Sequence, residues 1–229
     1  MAIGMKAMPF SFVAHFLAVV GAILVLIWCI SFRGGLAWEA PNKNLIFNSY
    51  HYRIVIAIFQ LRTRILTSVY LVLRKKLKKL IHLVLHAIAL ILGIIGIYTA
   101  FKFHNESNIA NLYSLHSWLG IGVIILYGIQ WIYGFLIFFY PGGATTIRSQ
   151  SLPWHVLFGL FVYILAVGTA TLGYLEKLTF LQNSGVAKYG SEAFLVNFTA
   201  IVTILFGVFV FLTILSQPPQ EDEYGYSAI

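Results

Sequence analysis

The sequence predicts an all-α fold, a bundle of six transmembrane helices. Of its 229 residues, 60% are apolar and 10% are charged, which is too apolar for an ordinary soluble domain. The apolar residues also form six segments of about 20 residues, the length that a helix needs to cross a bilayer. These predicted spans lie near residues 11–32, 50–73, 80–103, 116–140, 153–175 and 194–216.

Basic residues predict the orientation of these spans. Five of them stand in the short loop before the third span: Arg74, Lys75, Lys76, Lys78 and Lys79. Short loops rich in lysine and arginine face the cytoplasm. Both termini and the loop with Arg148 then lie on the cytoplasmic side, while segments 33–48, 104–115 and 176–193 face the other compartment. We therefore expect one six-span domain over residues 1–216 and a short disordered cytoplasmic tail over residues 217–229.

Charge and cysteine content exclude several classes of function. The formal net charge is +8, but the basic residues concentrate in one loop between apolar segments, which indicates topology control or an anion site rather than nucleic-acid binding. The single cysteine, Cys29, excludes an intramolecular disulfide. It also excludes a zinc or iron–sulfur site that one chain builds from thiolates.

The histidines are the strongest candidates for function. Five of the seven lie near the ends of predicted spans: His51, His82, His104, His116 and His155. An ionisable side chain at a membrane boundary suggests a functional site, and neutral imidazole is a good iron ligand. On the predicted topology His82 and His155 lie at the cytoplasmic level and can share one iron, while His116 and His51 can form a second pair at the opposite face.

Two such pairs predict two haems across the membrane. Haem iron with two imidazole ligands has no open coordination position, which suits electron transfer. Glycines on the facing helices would give a porphyrin room: Gly93, Gly96, Gly120 and Gly122. The alternatives are that these glycines only allow close helix packing and that each histidine is a hydrogen-bonded polar group. His86, one turn after His82, is a supporting donor, another ligand or a packed polar group.

Four segments resemble the cytochrome b561 family, especially its plant ascorbate-dependent members. They read SFRGGLAW at residues 31–38, YSLHSWLG at 113–120, FYPGG at 139–143 and PWH at 153–155. The resemblance implies a six-helix membrane protein whose four central helices hold two b-type haems. It also implies electron transfer from cytoplasmic ascorbate to the monodehydroascorbate radical, or to ferric chelates, on the other side.

The resemblance also implies roles for individual residues. His82 and His155 would hold the cytoplasmic haem, and His116 the non-cytoplasmic one. The family's cytoplasmic ascorbate site matches Lys75, Lys79 and Arg148, and its substrate site on the other face matches His104, Phe103 and Tyr113. Ascorbate is an anion at neutral pH, so lysine and arginine attract it independently of the resemblance.

One segment departs from the family pattern. The family opens its second span with Asn-x-His-Pro, whereas this chain reads FNSYHYR at residues 47–53, and the resemblance is lost from residue 49 to about 73. His51 is displaced by one position, and one residue turns a helical side chain by about 100°. Arg62 and Arg64 fall near the middle of this span with no acidic partner inside it. Either this segment is a divergent one or two compensating frameshifts produced it.

The departure leaves three functions open. The first is transmembrane electron transfer from ascorbate to monodehydroascorbate, and the second is ferric-chelate reduction by the same route. The third is a haem-deficient protein, a degenerate family member or scaffold that the altered second span has made incompetent. Family analogy further predicts a homodimer in the vacuolar membrane, with the plasma membrane as the next choice.

Overall fold

The computed structural model describes residues 7–36, 41 and 75–216 of the chain. Within this part the structure has five long helices and no strand, which confirms the all-α class for the described residues. Helix α1 covers Ala7–Ile27 and continues as a π-helical turn, Trp28–Phe32. The other helices are α2 Lys75–Glu106, α3 Leu115–Phe138, α4 Thr145–Asn183 and α5 Ser191–Leu215.

Each of the five helices is long and apolar enough to cross a membrane. The protein is therefore an integral membrane protein with several spans, in agreement with the sequence. The predicted second span, residues 50–73, and the predicted tail, residues 217–229, lie outside the described residues. The six-span count, the single domain and the cytoplasmic placement of the termini stay predictions.

Four predicted spans match their helices to within about five residues at each end, but the predicted fifth span is too short. Helix α4 begins at Thr145, eight residues before the predicted start, and ends at Asn183, eight residues after the predicted end. Hydropathy marks only the apolar part of a helix, and α4 extends into polar sequence at both ends. Pro153 lies inside α4, which membrane helices tolerate when neighbouring groups satisfy the freed backbone carbonyl.

The helices pack as a chain of neighbours. Helix α2 contacts α3, α3 contacts α4, α4 contacts α5, and α5 also packs along α1. The loop between α3 and α4 is short, and Gly142 in this loop has a φ of 80°, a conformation that favours glycine. A loop this short makes α3 and α4 antiparallel.

A polar cluster fastens the end of α1 to the start of α5. The Glu192 carboxylate is buried in the first turn of α5 and accepts hydrogen bonds from the Arg33 guanidinium and from Trp28 Nε1, the latter at 2.9 Å. A carboxylate near a helix N-terminus is also favoured by the helix dipole. Arg33 belongs to the family-like segment 31–38, so this segment has a structural role.

Candidate functional site

Three histidines cluster where the N-terminal parts of α2 and α4 approach each other. The ring centroids of His82 and His155 are 6.4 Å apart, and those of His82 and His86 are 4.1 Å apart. His82 is seven residues into the long α2 helix rather than at its start, and His155 is ten residues into α4. The structure brings the His82 and His155 rings close together as the topology predicted, and their sharing of one iron stays a prediction.

Helix α3 surrounds His155 from the other side. The Gln130 side-chain amide nitrogen lies 2.9 Å from His155 Nδ1 and donates to the His155 carbonyl oxygen at 2.7 Å. A Cβ atom added at Gly134 would lie 3.0 Å from His155 Cε1, so only glycine lets the imidazole sit this close to the backbone of α3. The Phe138 ring meets the imidazole edge to face, with centroids 5.2 Å apart.

His86 has its own partner on α3. Its Nδ1 lies 2.8 Å from the Tyr127 hydroxyl oxygen, and this hydroxyl donates to the His86 carbonyl oxygen at 3.1 Å. Since a hydroxyl has one proton, the consistent arrangement has Nδ1–H donating to Tyr127. Tyr127 is buried. Of the three roles considered for His86, the structure favours a packed, hydrogen-bonded group that supports the face of His82.

His116 lies at the other end of α3, against the C-terminal half of α4. Its Nδ1 is 2.9 Å from the carbonyl oxygen of Thr169, and because a carbonyl only accepts, Nδ1 carries the proton. The unprotonated Nε2 is then available to a metal, a tautomer typical of metal-binding histidines. A Cβ atom added at Gly173 would lie 2.7 Å from His116 Cε1, so glycine is required there as well.

A cavity of about 90 Å³ opens beside His116. It is lined by His104, Glu176 and Lys177, among other residues of α2, α3 and α4. Of the residues predicted for this face, His104 lines the cavity, and its ring centroid is 6.0 Å from that of Phe103. Phe103 itself is buried.

Tyr113 reaches the cavity wall through Glu176. Its hydroxyl donates to Glu176 Oε1 at 3.3 Å, and the Ser114 hydroxyl donates to Glu176 Oε2 at 3.0 Å. Partial burial and the Glu176 carboxylate raise the pKa of the Tyr113 hydroxyl above its ordinary value of 10. The sequence analysis assigned Glu176 to a loop, but it lies inside α4, which is why its side chain faces the cavity.

The predicted ascorbate-binding residues all lie in the first turns of helices. Lys75 is the first residue of α2, Lys79 is exposed one turn further on, and Arg148 lies in the first turn of α4 rather than in a loop. The Arg148 Nε donates to the Gly143 carbonyl oxygen at 2.7 Å. His51, the predicted fourth haem ligand, lies outside the described residues.

Comparisons with known proteins decide the family. The chain matches the family described as eukaryotic cytochrome b561 over residues 50–181. It is 60% identical to transmembrane ascorbate ferrireductase 1 of Arabidopsis thaliana, with both chains fully covered. The chain belongs to the cytochrome b561 family. It is also 60% identical to probable ascorbate-specific transmembrane electron transporter 2 of rice, covering 99% of this chain and 97% of the relative.

A mouse member of the cytochrome b561 family shares 38% identity with this chain. It is a transmembrane ascorbate-dependent reductase, and the alignment covers 87% of this chain and 81% of the mouse protein. The family match begins at residue 50 and so includes the segment in which the sequence analysis saw no resemblance. Membership in the family confirms the resemblance that the four quoted segments indicated.

Sequence reasoning missed the glycines that contact the histidines of this cytochrome b561 chain. Gly134 lies eighteen residues after His116 on α3, and Gly173 lies eighteen residues after His155 on α4. Eighteen residues make five helical turns, so each histidine shares a helix face with its glycine. Since α3 and α4 are antiparallel, the histidine of one helix meets the glycine of the other, and this spacing is the signal that would have found them.

Proposed function

We propose that the protein transfers electrons across a membrane, from cytoplasmic ascorbate through two b-type haems to monodehydroascorbate on the other side. The observation that carries this proposal is the 6.4 Å separation of the His82 and His155 ring centroids. Metal–imidazole bonds are about 2.0 to 2.1 Å long, so two imidazoles on opposite sides of one iron have ring centres about 6 Å apart. The pair therefore fits a single iron between the two rings.

The second haem would be held at the opposite ends of α3 and α4. His116 supplies one ligand, because the hydrogen bond from Nδ1 to the Thr169 carbonyl leaves Nε2 available. We propose His51 as the other ligand. A haem with two imidazole ligands supplies one-electron transfer when bound, since it offers no open position for oxygen.

Basic residues at the helix starts would bind ascorbate. Lys75 precedes His82 by seven residues, and Arg148 precedes His155 by seven. Seven residues turn a helix by almost two full turns, so each cation shares a face with a ligand histidine and lies about 10 Å further toward the helix start. Lys79 is exposed between Lys75 and His82. Together these cations would attract the ascorbate anion and order its oxygens by charge-assisted hydrogen bonds.

The cavity beside His116 would receive the electron acceptor. His104 lines it together with Glu176 and Lys177, so the wall holds an imidazole that can exchange a proton with an acceptor. We assign Tyr113 to this site through its hydrogen bond with Glu176, and Phe103 as the buried ring beside His104. Ferric chelates are the second candidate acceptor, because the Arabidopsis relative is named a ferrireductase.

Haem content tests the proposal directly. We expect about two haems per purified chain, and we expect both to be reduced when ascorbate is added. His82→Ala and His155→Ala should each lose the same haem. His15→Ala is a control, because among the described residues the His15 side chain bonds the Ser11 carbonyl of its own helix. A stoichiometry of one would indicate that the altered second span has cost the haem at His116. A colourless protein, or a spectrum unchanged in His155→Ala, would refute the proposed ligands.

A vesicle assay tests direction and acceptor. Vesicles that contain the protein are loaded with ascorbate, and monodehydroascorbate or a ferric chelate is supplied outside. When ascorbate is on the side of the membrane that carries Arg148, we expect acceptor reduction that depends on His155 and falls in Arg148→Ala. An inert ferric chelate would eliminate the ferrireductase candidate, while loss of both activities in a fully haem-loaded protein would refute electron transfer.

We propose a vacuolar membrane location and a homodimer on family analogy alone. Co-fractionation of the tagged chain with vacuolar or plasma-membrane markers tests the location. The mass of the detergent-solubilised protein, measured by light scattering, tests the homodimer. A monomer at every concentration, or a plasma-membrane profile, would contradict the respective proposal.

A further inference from the structure

Helices α3 and α4 carry the same four-position pattern. In α3 it comprises His116, Gly120, Gln130 and Gly134, and in α4 it comprises His155, Gly159, Thr169 and Gly173. In both helices the second, third and fourth residues follow the histidine by four, fourteen and eighteen positions. These offsets place the other three residues within about 40° of the histidine around the helix. Each helix therefore presents one face that begins with a histidine and ends with a glycine.

The two faces meet in opposite directions, so each histidine contacts the far end of the other helix. His116 approaches Gly173, where an added Cβ would be 2.7 Å away, and His155 approaches Gly134, where it would be 3.0 Å away. In both helices the residue fourteen positions after the histidine contacts Nδ1 of the histidine on the other helix: Thr169 contacts His116, and Gln130 contacts His155. The two helices thus form an inverted repeat, in which the histidine of each helix packs against the last glycine of the other.

The two helices differ at the residue that follows the histidine by fourteen positions, which is Gln130 in α3 and Thr169 in α4. Thr169 uses its backbone carbonyl, which can only accept, and its side-chain hydroxyl is turned to the Leu165 carbonyl. Gln130 instead uses its side-chain amide, which lies against Nδ1 and the carbonyl oxygen of His155. An amide carries a donor at one end and an acceptor at the other in the same space. The partner of His155 is therefore adjustable, whereas the partner of His116 is fixed by the backbone.

The Gln130 side chain is enclosed by protein. Gln130 is buried, and a Cβ added at Gly159 would lie 3.4 Å from its amide nitrogen. Gly159 lies one turn after His155 on α4, so the amide lies close to the face of α4 that bears the histidine, where an added Cβ would be in ordinary van der Waals contact with it. The side chain is held between the histidine and the helix that bears it.

We infer that Gln130 is a positioning residue that sets the plane and basicity of the His155 imidazole and thereby the reduction potential of the haem this histidine holds. The inference rests on the proposed function, in which His155 ligates iron through Nε2 and keeps its proton on Nδ1. In that state the Gln130 amide turns over, so that its oxygen accepts from Nδ1–H and the hydrogen bond from its nitrogen to the His155 carbonyl oxygen is given up. Such a bond makes an imidazole a stronger electron donor and favours ferric iron, and hydrogen bonding around ligands is a recognised control of haem potential.

Spectroelectrochemical titration of the haem-loaded protein tests this role. Gln130→Leu keeps the approximate volume and removes the acceptor, so the potential of the haem lost in His155→Ala should rise. We expect about a tenfold change in the reduction equilibrium, or about 59 mV for one electron. Gln130→Glu presents only oxygens to Nδ1–H and should shift the same potential downward. Thr199→Val is the control, because Thr199 is buried in α5 and its hydroxyl donates to the Leu195 carbonyl of the same helix.

The outcomes separate this inference from the proposed function. If wild-type protein shows no haem that His155→Ala removes, the proposed function fails. If that haem is present but neither Gln130 variant shifts its potential more than Thr199→Val does, the role of Gln130 is refuted and the proposed function stands. Should Gln130→Leu fail to fold, the downward shift in Gln130→Glu decides, and an unchanged or higher potential in that variant overturns the inference.

Discussion

Replacing Gly173 by alanine should weaken the site at His116. The added Cβ would lie 2.7 Å from His116 Cε1, and ordinary contact begins at 3.4 Å, so the imidazole must retreat by about 0.7 Å. Gly173 and Thr169 both belong to α4. A ring that moves away from Gly173 therefore also moves away from the Thr169 carbonyl, which lengthens the 2.9 Å hydrogen bond to Nδ1.

The expected cost combines these two effects. Overpacking costs about 1 to 3 kcal/mol, and losing a hydrogen bond costs about 0.5 to 1.5 kcal/mol net. We take about 2 kcal/mol for the sum because the imidazole can move in part, and this corresponds to roughly 30-fold weaker haem retention. Gly134→Ala has a Cβ 3.0 Å from His155 Cε1, so its effect on the opposite haem should be smaller.

Haem retention is measured by the rate of haem transfer from the purified protein to an excess of apo-globin. Gly168→Ala is the matched control, because it lies in the same helix and an added Cβ there meets nothing within 4 Å. Both alanines gain about 1 kcal/mol of helix propensity over glycine, so the difference between them reports the contact. If Gly173→Ala and Gly168→Ala lose haem equally slowly, the steric argument at His116 is wrong.

Three further substitutions test other parts of the structure. Tyr127→Phe removes the hydroxyl that pairs with His86 Nδ1 and should lower the free energy of unfolding by about 1 to 3 kcal/mol; an unchanged melting temperature would contradict this. Glu192→Gln breaks the pair with Arg33 and should cost about 3 kcal/mol, measured by thermal unfolding in detergent, and a loss under 1 kcal/mol would show that the pair is solvated. The raised pKa of Tyr113 means that its contribution to stability is complete below pH 10 and is lost as the pH rises through the folded-state pKa. Tyr113→Phe should therefore flatten the decline of melting temperature above pH 10, and an identical decline in both proteins would exclude this residue as its source.

Sequence patterns were sufficient for the coarse arrangement of the site. The apolar segments located the described helices, and the positions of His82 and His155 within them placed the two imidazoles at one level. The structure brings these rings to 6.4 Å. This succeeded because helix rise and bilayer thickness fix the depth of a residue once the span is known.

Sequence patterns did not identify the glycines that contact the histidines. An added Cβ at Gly93 would lie 2.6 Å from the Ile124 side chain, which agrees with close helix packing, whereas an added Cβ at Gly122 meets nothing within 4 Å, and the porphyrin room expected there stays a prediction. The glycines that the histidines contact are Gly134 and Gly173. Which face of a helix meets its neighbour depends on the packing of the whole bundle, and depth along the helix does not determine it.

The sequence also did not predict which side chains contact the histidines and the cavity. Gln130 is an isolated polar residue in an apolar stretch, and its contact with His155 depends on its rotamer and on which face of α4 lies opposite. Glu176 was placed in a loop because the apolar run ends there, although helix α4 continues to Asn183. Hydropathy follows the membrane boundary, whereas backbone hydrogen bonding determines where a helix ends, and in α4 the two do not coincide.

Helix α4 connects the two histidine environments. His155, Thr169 and Gly173 lie along one of its faces, so a bend in α4 would displace the His155 ring and the Thr169 carbonyl relative to each other. Helix α5 supports α4 from behind, where the Tyr163 and Phe206 rings pack with centroids 6.2 Å apart. Helix α5 is in turn held to α1 by packing and by the Arg33–Glu192 pair. Electron transfer between the two proposed haem sites requires a constant separation, and the packing of the outer helix pair against α4 would help to hold it. Loss of the Arg33–Glu192 pair should consequently disturb haem binding at both ends of α4, although neither residue touches a proposed ligand histidine.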